Sequence, residues 1–167
     1  MNSAKFKHFA DKLLSKIKRY DAEKFDHAQQ VMRENLPYAR TKSEYVYQIS
    51  LALKNLNEDL RSKLEAKIMF NKTQNLLRNL SFHTALLRLF SLSQNVDINT
   101  AENQEYKKLI NQLIDFFDLF TRYNIINQNL LLPHINGFFD IIDLNIQSSK
   151  LISNLVQSLS DERNLRD

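Results

Sequence analysis

The chain has 167 residues, with 43% apolar side chains, one Gly, two Pro, no Cys and a formal net charge of +4. That length fits one domain with its own core, and so few turn-forming residues argue against a sheet-rich fold. The lack of Cys excludes disulfides, thiolate metal sites and Cys nucleophiles, and no apolar run approaches the length of a membrane span.

The spacing predicts a first helix from Ser3 to about Tyr20. Phe6, Phe9, Ala10, Leu13, Leu14, Ile17 and Tyr20 fall on one face. Lys5, Lys7, Lys12, Lys16, Lys18 and Arg19 cover the rest. The charged start lacks the apolar core of a signal peptide. Asp21 is positioned to cap a second helix, Ala22 to Asn35, which Pro37 ends. Residues 3–36 are expected to lie at the periphery.

Thr41 or Ser43 opens the longest helical stretch. Tyr45, Ile49, Ala52, Leu53, Leu56 and Leu60 form its buried stripe, continued by Leu64, Ile68 and Met69. No Gly or Pro interrupts residues 41–90. One helix of that length is improbable, so breaks are expected near Asn71-Lys72 and near Ser81. Residues 91–104 lack apolar period, collect Ser, Asn and Asp, and read as a loop.

Thr100, with Asn103 or Gln104, can start the next helix. It carries Tyr106, Leu109, Ile110, Leu113, Ile114, Phe116, Phe117 and Phe120, is apolar round most of its circumference, and should lie centrally. A short helix follows from about Ile125 to Leu132. Pro133 suits the first turn of another, which Gly137 can loosen. Ser148 caps a last helix through Leu159, with Leu151, Ile152, Leu155 and Val156 inward. Residues 160–167 read as a frayed tail. Together these elements predict a single all-α domain over residues 1–167, either a helical bundle of short antiparallel helices or an α-solenoid.

Charge divides the chain. Residues 1–90 hold 17 Lys/Arg against 9 Asp/Glu, and residues 91–167 hold 6 against 10. Halves of opposite sign suit end-to-end stacking better than continuous nucleic-acid binding.

Catalytic and metal signatures are absent from the sequence. His8, His27, His83 and His134 have no paired His at helical spacing, and read as surface or boundary residues. Asp97-Ile98-Asn99 begins like a calcium loop, but Glu102 stands where Gly is required and Lys108 where Glu is required. The acid pairs Glu58-Asp59 and Asp115/Asp118 read as solvated helix faces. No metal and no cofactor is expected. Asn75, Asn79, Asn127, Gln128 and Asn129 sit inside Leu-rich segments. Buried amides need partners, and these are expected to bond helix ends across a turn rather than to line a ligand pocket.

Two segments stand out together. The first holds Gln74, Leu76, Leu77, Arg78 and Asn79, and leads into the Leu-rich helix at residues 86–90. The second holds Asn127, Gln128, Leu130, Leu131, His134, Ile135 and Phe138. In this order, with a loop and an apolar helix between them, they resemble the RIH homology domain of inositol trisphosphate and ryanodine receptors, in a protist form. The resemblance covers about residues 64–142. Leu132-Pro133 lengthen the turn that the family makes more compactly.

The resemblance implies an armadillo-like α-solenoid in which these motif residues are structural. It implies a cytosolic relay domain of an intracellular ligand-gated calcium-release channel, neither an enzyme nor a nucleic-acid binder. The implied partners are neighbouring solenoid domains of the same tetrameric channel, and the implied place is the cytoplasmic face of an intracellular calcium-store membrane. A small nucleic-acid-binding protein that uses the basic half is the second rival reading; the first is a self-standing helical adaptor. It would bind an acidic partner or helix, such as a calmodulin-like protein, through the basic amphipathic segment 4–20.

Overall fold

The computed structural model describes residues 3–19, 42–94, 104–141 and 148–157, and among them every regular element is a helix. In chain order these are α1 (Ser3–Arg19), α2 (Lys42–Ala66), α3 (Phe70–Asn79), α4 (Phe82–Gln94), α5 (Gln104–Thr121) and α6 (Ile125–Leu131). A 3-10 turn at Leu132–His134 leads into α7 (Ile135–Phe139), and α8 covers 148–157. The chain is an all-α helical bundle.

The helical stripes explain the packing. In α2, Val46, Ile49, Leu53, Leu56 and Leu60 are fully buried, and they face α5 across the main helix–helix interface. In α5, Leu109, Leu113, Ile114, Phe116, Phe117 and Phe120 are also inaccessible to solvent, which makes it the central helix that its composition predicts. Ring contacts extend the core outward. Phe116 stacks on Phe120 at 5.5 Å and meets Phe82 of α4 at 5.5 Å. Phe138 of α7 sits 5.5 Å from Phe117 and 5.4 Å from Phe90. One aromatic cluster thus joins α4, α5 and α7.

The α1 helix buries Ala10, Leu13 and Leu14 against α2 and α4. Lys5, Lys7 and Lys12 remain on its exposed face. Long amphipathic cations are well placed there, with charge in water.

The chain turns without glycine. Lys67, Met69, Ser81 and Tyr123 all have positive φ, between 55° and 64°. At the end of α2, the Lys67 amide donates to the Leu64 carbonyl and the Ile68 amide donates to the Lys63 carbonyl. This pair of bonds is a Schellman motif, with Lys67 in the left-handed position that Gly usually fills. A side chain there costs roughly 1–2 kcal/mol per residue.

Several sequence expectations are corrected here. The first break lies at Lys67–Met69, ahead of Asn71-Lys72, because the Schellman bonds close α2 there and α3 already begins at Phe70. Ile68 and Met69 do not continue the buried stripe. They sit on the turn, 64% and 40% exposed. Residues 91–94 belong to α4 rather than to a loop, and buried Ser93 returns its hydroxyl to the Leu89 carbonyl. Val156 is 48% exposed, since only Leu151, Ile152 and Leu155 of α8 face the core. The expected helix at 22–35, most of the expected loop and the tail at 160–167 lie outside the described residues.

Candidate functional site

The carboxyl end of α5 is where the two polar segments meet. A helix terminus leaves its last carbonyls without intrahelical donors, and a buried terminus must find them elsewhere. Here side-chain amides provide them. Gln74, fully buried on α3, donates its Nε2 to the Leu119 carbonyl at 2.8 Å and to the Arg122 carbonyl at 2.9 Å. Asn127 on α6, also fully buried, donates Nδ2 to the Phe120 carbonyl at 2.8 Å. Gln128 donates Nε2 to the Thr121 carbonyl at 2.9 Å. Four successive carbonyls, from Leu119 to Arg122, thereby receive side-chain donors from three motif residues.

The amides also bond one another. Asn124 caps α6: its Oδ1 accepts from the Asn127 amide at 3.1 Å, and its Nδ2 donates to Gln74 Oε1 at 3.2 Å and to Asn75 Oδ1 at 3.3 Å. Arg78 donates from Nη1 to Asn127 Oδ1 at 2.9 Å. Gln74 therefore uses both donors and its acceptor oxygen, as a buried amide should.

Below this joint lies Asp118, 2% exposed, bound by Arg122 and by Asn154 Nδ2 at 2.7 Å. Burial pushes its carboxyl above the ordinary range, while Arg122 and the Asn154 hydrogen bond pull the other way. Asn154 lies on α8, so this carboxylate ties the last helix to α5. Ser148 makes a second tie, through its hydroxyl to the Phe138 carbonyl at 2.7 Å.

Not every motif residue enters the joint. Leu77, Leu131 and Phe138 are core residues, and Leu76 and Ile135 are half-buried. Asn79, Leu130 and His134 lie at the surface. Sequence reasoning passed over Asn124, Thr121 and Asn154. Asn124 had a readable signal, an Asn three positions before another polar residue at the head of an apolar run. Asn154 had none, because its partner lies 36 positions away.

No family model, curated protein or solved structure matches this chain. The geometry of the joint therefore stands as the main guide to what the chain does.

Two further features complete the region. His83 stacks on Phe120 at 5.4 Å and lines a groove of about 490 Å³ with Leu87, Arg88, Leu130 and His134. Its Nδ1 is buried without a hydrogen-bond partner. Burial first, then Arg78 and His134, holds the imidazole below its ordinary value. A second groove of about 660 Å³ runs between the α5–α6 turn and α8, lined by Arg122, Gln128, Lys150 and Asn154. Among the described residues, no three His, Asp or Glu side chains are grouped to hold a metal, and no helix is long and apolar enough to cross a membrane.

Proposed function

We propose that this chain is a relay domain of the RIH type, a non-catalytic part of an intracellular ligand-gated calcium-release channel. The observation that carries the reading is the joint itself. The two motif segments that resemble that family are brought together by Gln74–Asn124 and Arg78–Asn127 hydrogen bonds around one helix terminus. A joint of this kind has a mechanical use. The α3, α5 and α6 helices share one fully bonded node, so displacement of α3 carries the other two with it. A relay needs elements of this kind, because packed interiors pass strain on instead of absorbing it.

In this reading the partners are neighbouring helical domains of the same tetrameric channel, stacked as an armadillo-like solenoid at the cytoplasmic face of a calcium-store membrane. No cofactor is involved. The adaptor alternative is less well supported, because Ala10, Leu13 and Leu14 of α1 are already buried inside the bundle.

The test uses the full reading frame that contains this segment, expressed and reconstituted as a channel. Gln74→Leu and Arg78→Leu are expected to shift the ligand concentration for half-maximal calcium release while the receptor still assembles. The isolated domain is expected to bind neither inositol trisphosphate nor calcium at micromolar levels by calorimetry. Stoichiometric binding of either would make the domain a sensor, and unaltered release in both variants would remove the relay.

A further inference from the structure

Among the described residues, three of the four left-handed positions border one open groove. It has a volume of about 670 Å³ and is lined by Glu65, Lys67, Met69, Phe70, Lys72 and Tyr123 among others. Lys67, Met69 and Tyr123 carry the positive φ values. Glycine is the favoured residue at such positions, since a Cβ is unfavourable there. The chain instead places a thioether and a phenol there and holds both in solvent: Met69 is 40% exposed and Tyr123 is 83% exposed. Ile68, on the same turn as Met69, is 64% exposed, and Ile126, on the first turn of α6 after Tyr123, is 55% exposed. Fold stability does not account for large apolar side chains in strained, solvent-facing turns. Strained residues of this kind gather where a surface has work to do, and an apolar patch rimmed by charge marks a contact site.

Charge selects the occupant. Lys67 and Lys72 line the groove and outnumber Glu65, the acid in the lining, so the groove carries a net positive charge. We infer that the groove formed by Met69, Phe70 and Tyr123 docks an amphipathic helix of a partner protein, with large aliphatic or aromatic residues on one stripe and acidic residues beside it. The apolar stripe would lie along Met69, Phe70 and Tyr123, and the acids would reach Lys67 and Lys72. Helix-in-groove recognition of this kind uses anchors at i, i+3, i+4 and i+7. The inference does not depend on the channel reading, since any helical module could use such a surface.

The probes are synthetic helical peptides of about 18 residues, or five turns. They share one Leu/Phe stripe and differ only in a Glu, Gln or Lys flank. Binding to the full chain is followed by fluorescence anisotropy at low salt. The Glu peptide is expected to bind at least about tenfold tighter than the Lys peptide, with the difference shrinking as salt rises. Met69→Gly and Tyr123→Gly relieve the left-handed positions. They are expected to hold or raise the thermal midpoint while weakening the Glu peptide by about tenfold or more. Leu51→Ala, an exposed apolar change on α2, is the control expected to leave binding unchanged. No binding by any peptide up to about 1 mM, or binding insensitive to Tyr123→Gly, would overturn the proposal. Sedimentation decides the remaining case: a concentration-dependent dimer of the chain that Tyr123→Gly abolishes would make the occupant a second copy and overturn the acidic-helix assignment.

Discussion

Arg78 on α3 donates to Asn127 on α6 at 2.9 Å, across 49 positions of sequence. Asn127 uses its other end to hold the Phe120 carbonyl. A charged donor thus orients a buried amide, and the amide closes a helix terminus. Bonds to charged donors are the stronger kind, and each link here leaves a buried group unpaired if broken.

The consequence for Gln74 is direct. Gln74→Leu keeps most of the volume but strips donors from the Leu119 and Arg122 carbonyls and leaves the Asn124 amide short of an acceptor. The expected loss is about 2–4 kcal/mol, because each stranded buried group costs roughly 1–3 kcal/mol and water can reach part of the turn. Urea unfolding checks it. A loss below about 0.5 kcal/mol would show that water replaces the amide without penalty.

The aromatic core gives a second expectation. Phe117 and Phe120 are inaccessible to solvent and contact rings from α4 and α7 or the His83 imidazole. Either change to Ala is expected to cost about 3–5 kcal/mol. Thermal or chemical unfolding of Phe120→Ala should also show whether the joint survives, since its own carbonyl accepts from Asn127.

Much of this was legible and some was not, for physical reasons. Periodicity located the helices because burial follows it: the stripe of α2 and the near-complete apolar surface of α5 are burial patterns written in sequence. The α2–α3 turn escaped because the usual sign of a helix end is Gly, and here Lys67 and Met69 take the left-handed positions. Ile68 and Met69 read as core by spacing, yet the spacing no longer applies once the helix has closed at Ala66. The amides of Asn127 and Gln128 announced a need for partners. Which carbonyls they would find depends on how α3, α5 and α6 come together, and no local pattern contains that.

Lys67 offers a test of the glycine argument. Lys67→Gly relieves a left-handed side chain and is expected to change stability between zero and a gain of about 1 kcal/mol, the relief being partly offset by a freer unfolded chain. Lys63→Gly, inside α2, is expected to lose about 1 kcal/mol. The loss would be larger if its ion pair with Asp59 adds to it. Opposite signs in the two variants support the Schellman ending, and equal losses would contradict it.

A half-buried His83 and a buried Asp118 set opposing pH dependences. The folded-state value of His83 is lowered by burial and by Arg78 and His134. Its contribution is therefore full above the ordinary value of 6.5 and is lost as pH falls toward the folded value. Asp118 is raised by burial, so its contribution is full below the ordinary 3.8 and is lost as pH rises through the folded value. Stability is expected to fall below pH 6.5 in the parent chain and less so in His83→Gln. Asp118→Asn should remove the compensating gain at lower pH. Thermal midpoints measured across this range in the three proteins check both signs.

The central claim is that the two motif segments form one energetic unit, and a double-mutant cycle between Arg78→Ala and Asn127→Ala measures it most directly. The joint predicts that the two losses are not additive, with a coupling of about 1 kcal/mol or more between α3 and α6. A coupling below about 0.3 kcal/mol, with both single variants folded, would contradict it and leave the two segments as neighbours that merely touch.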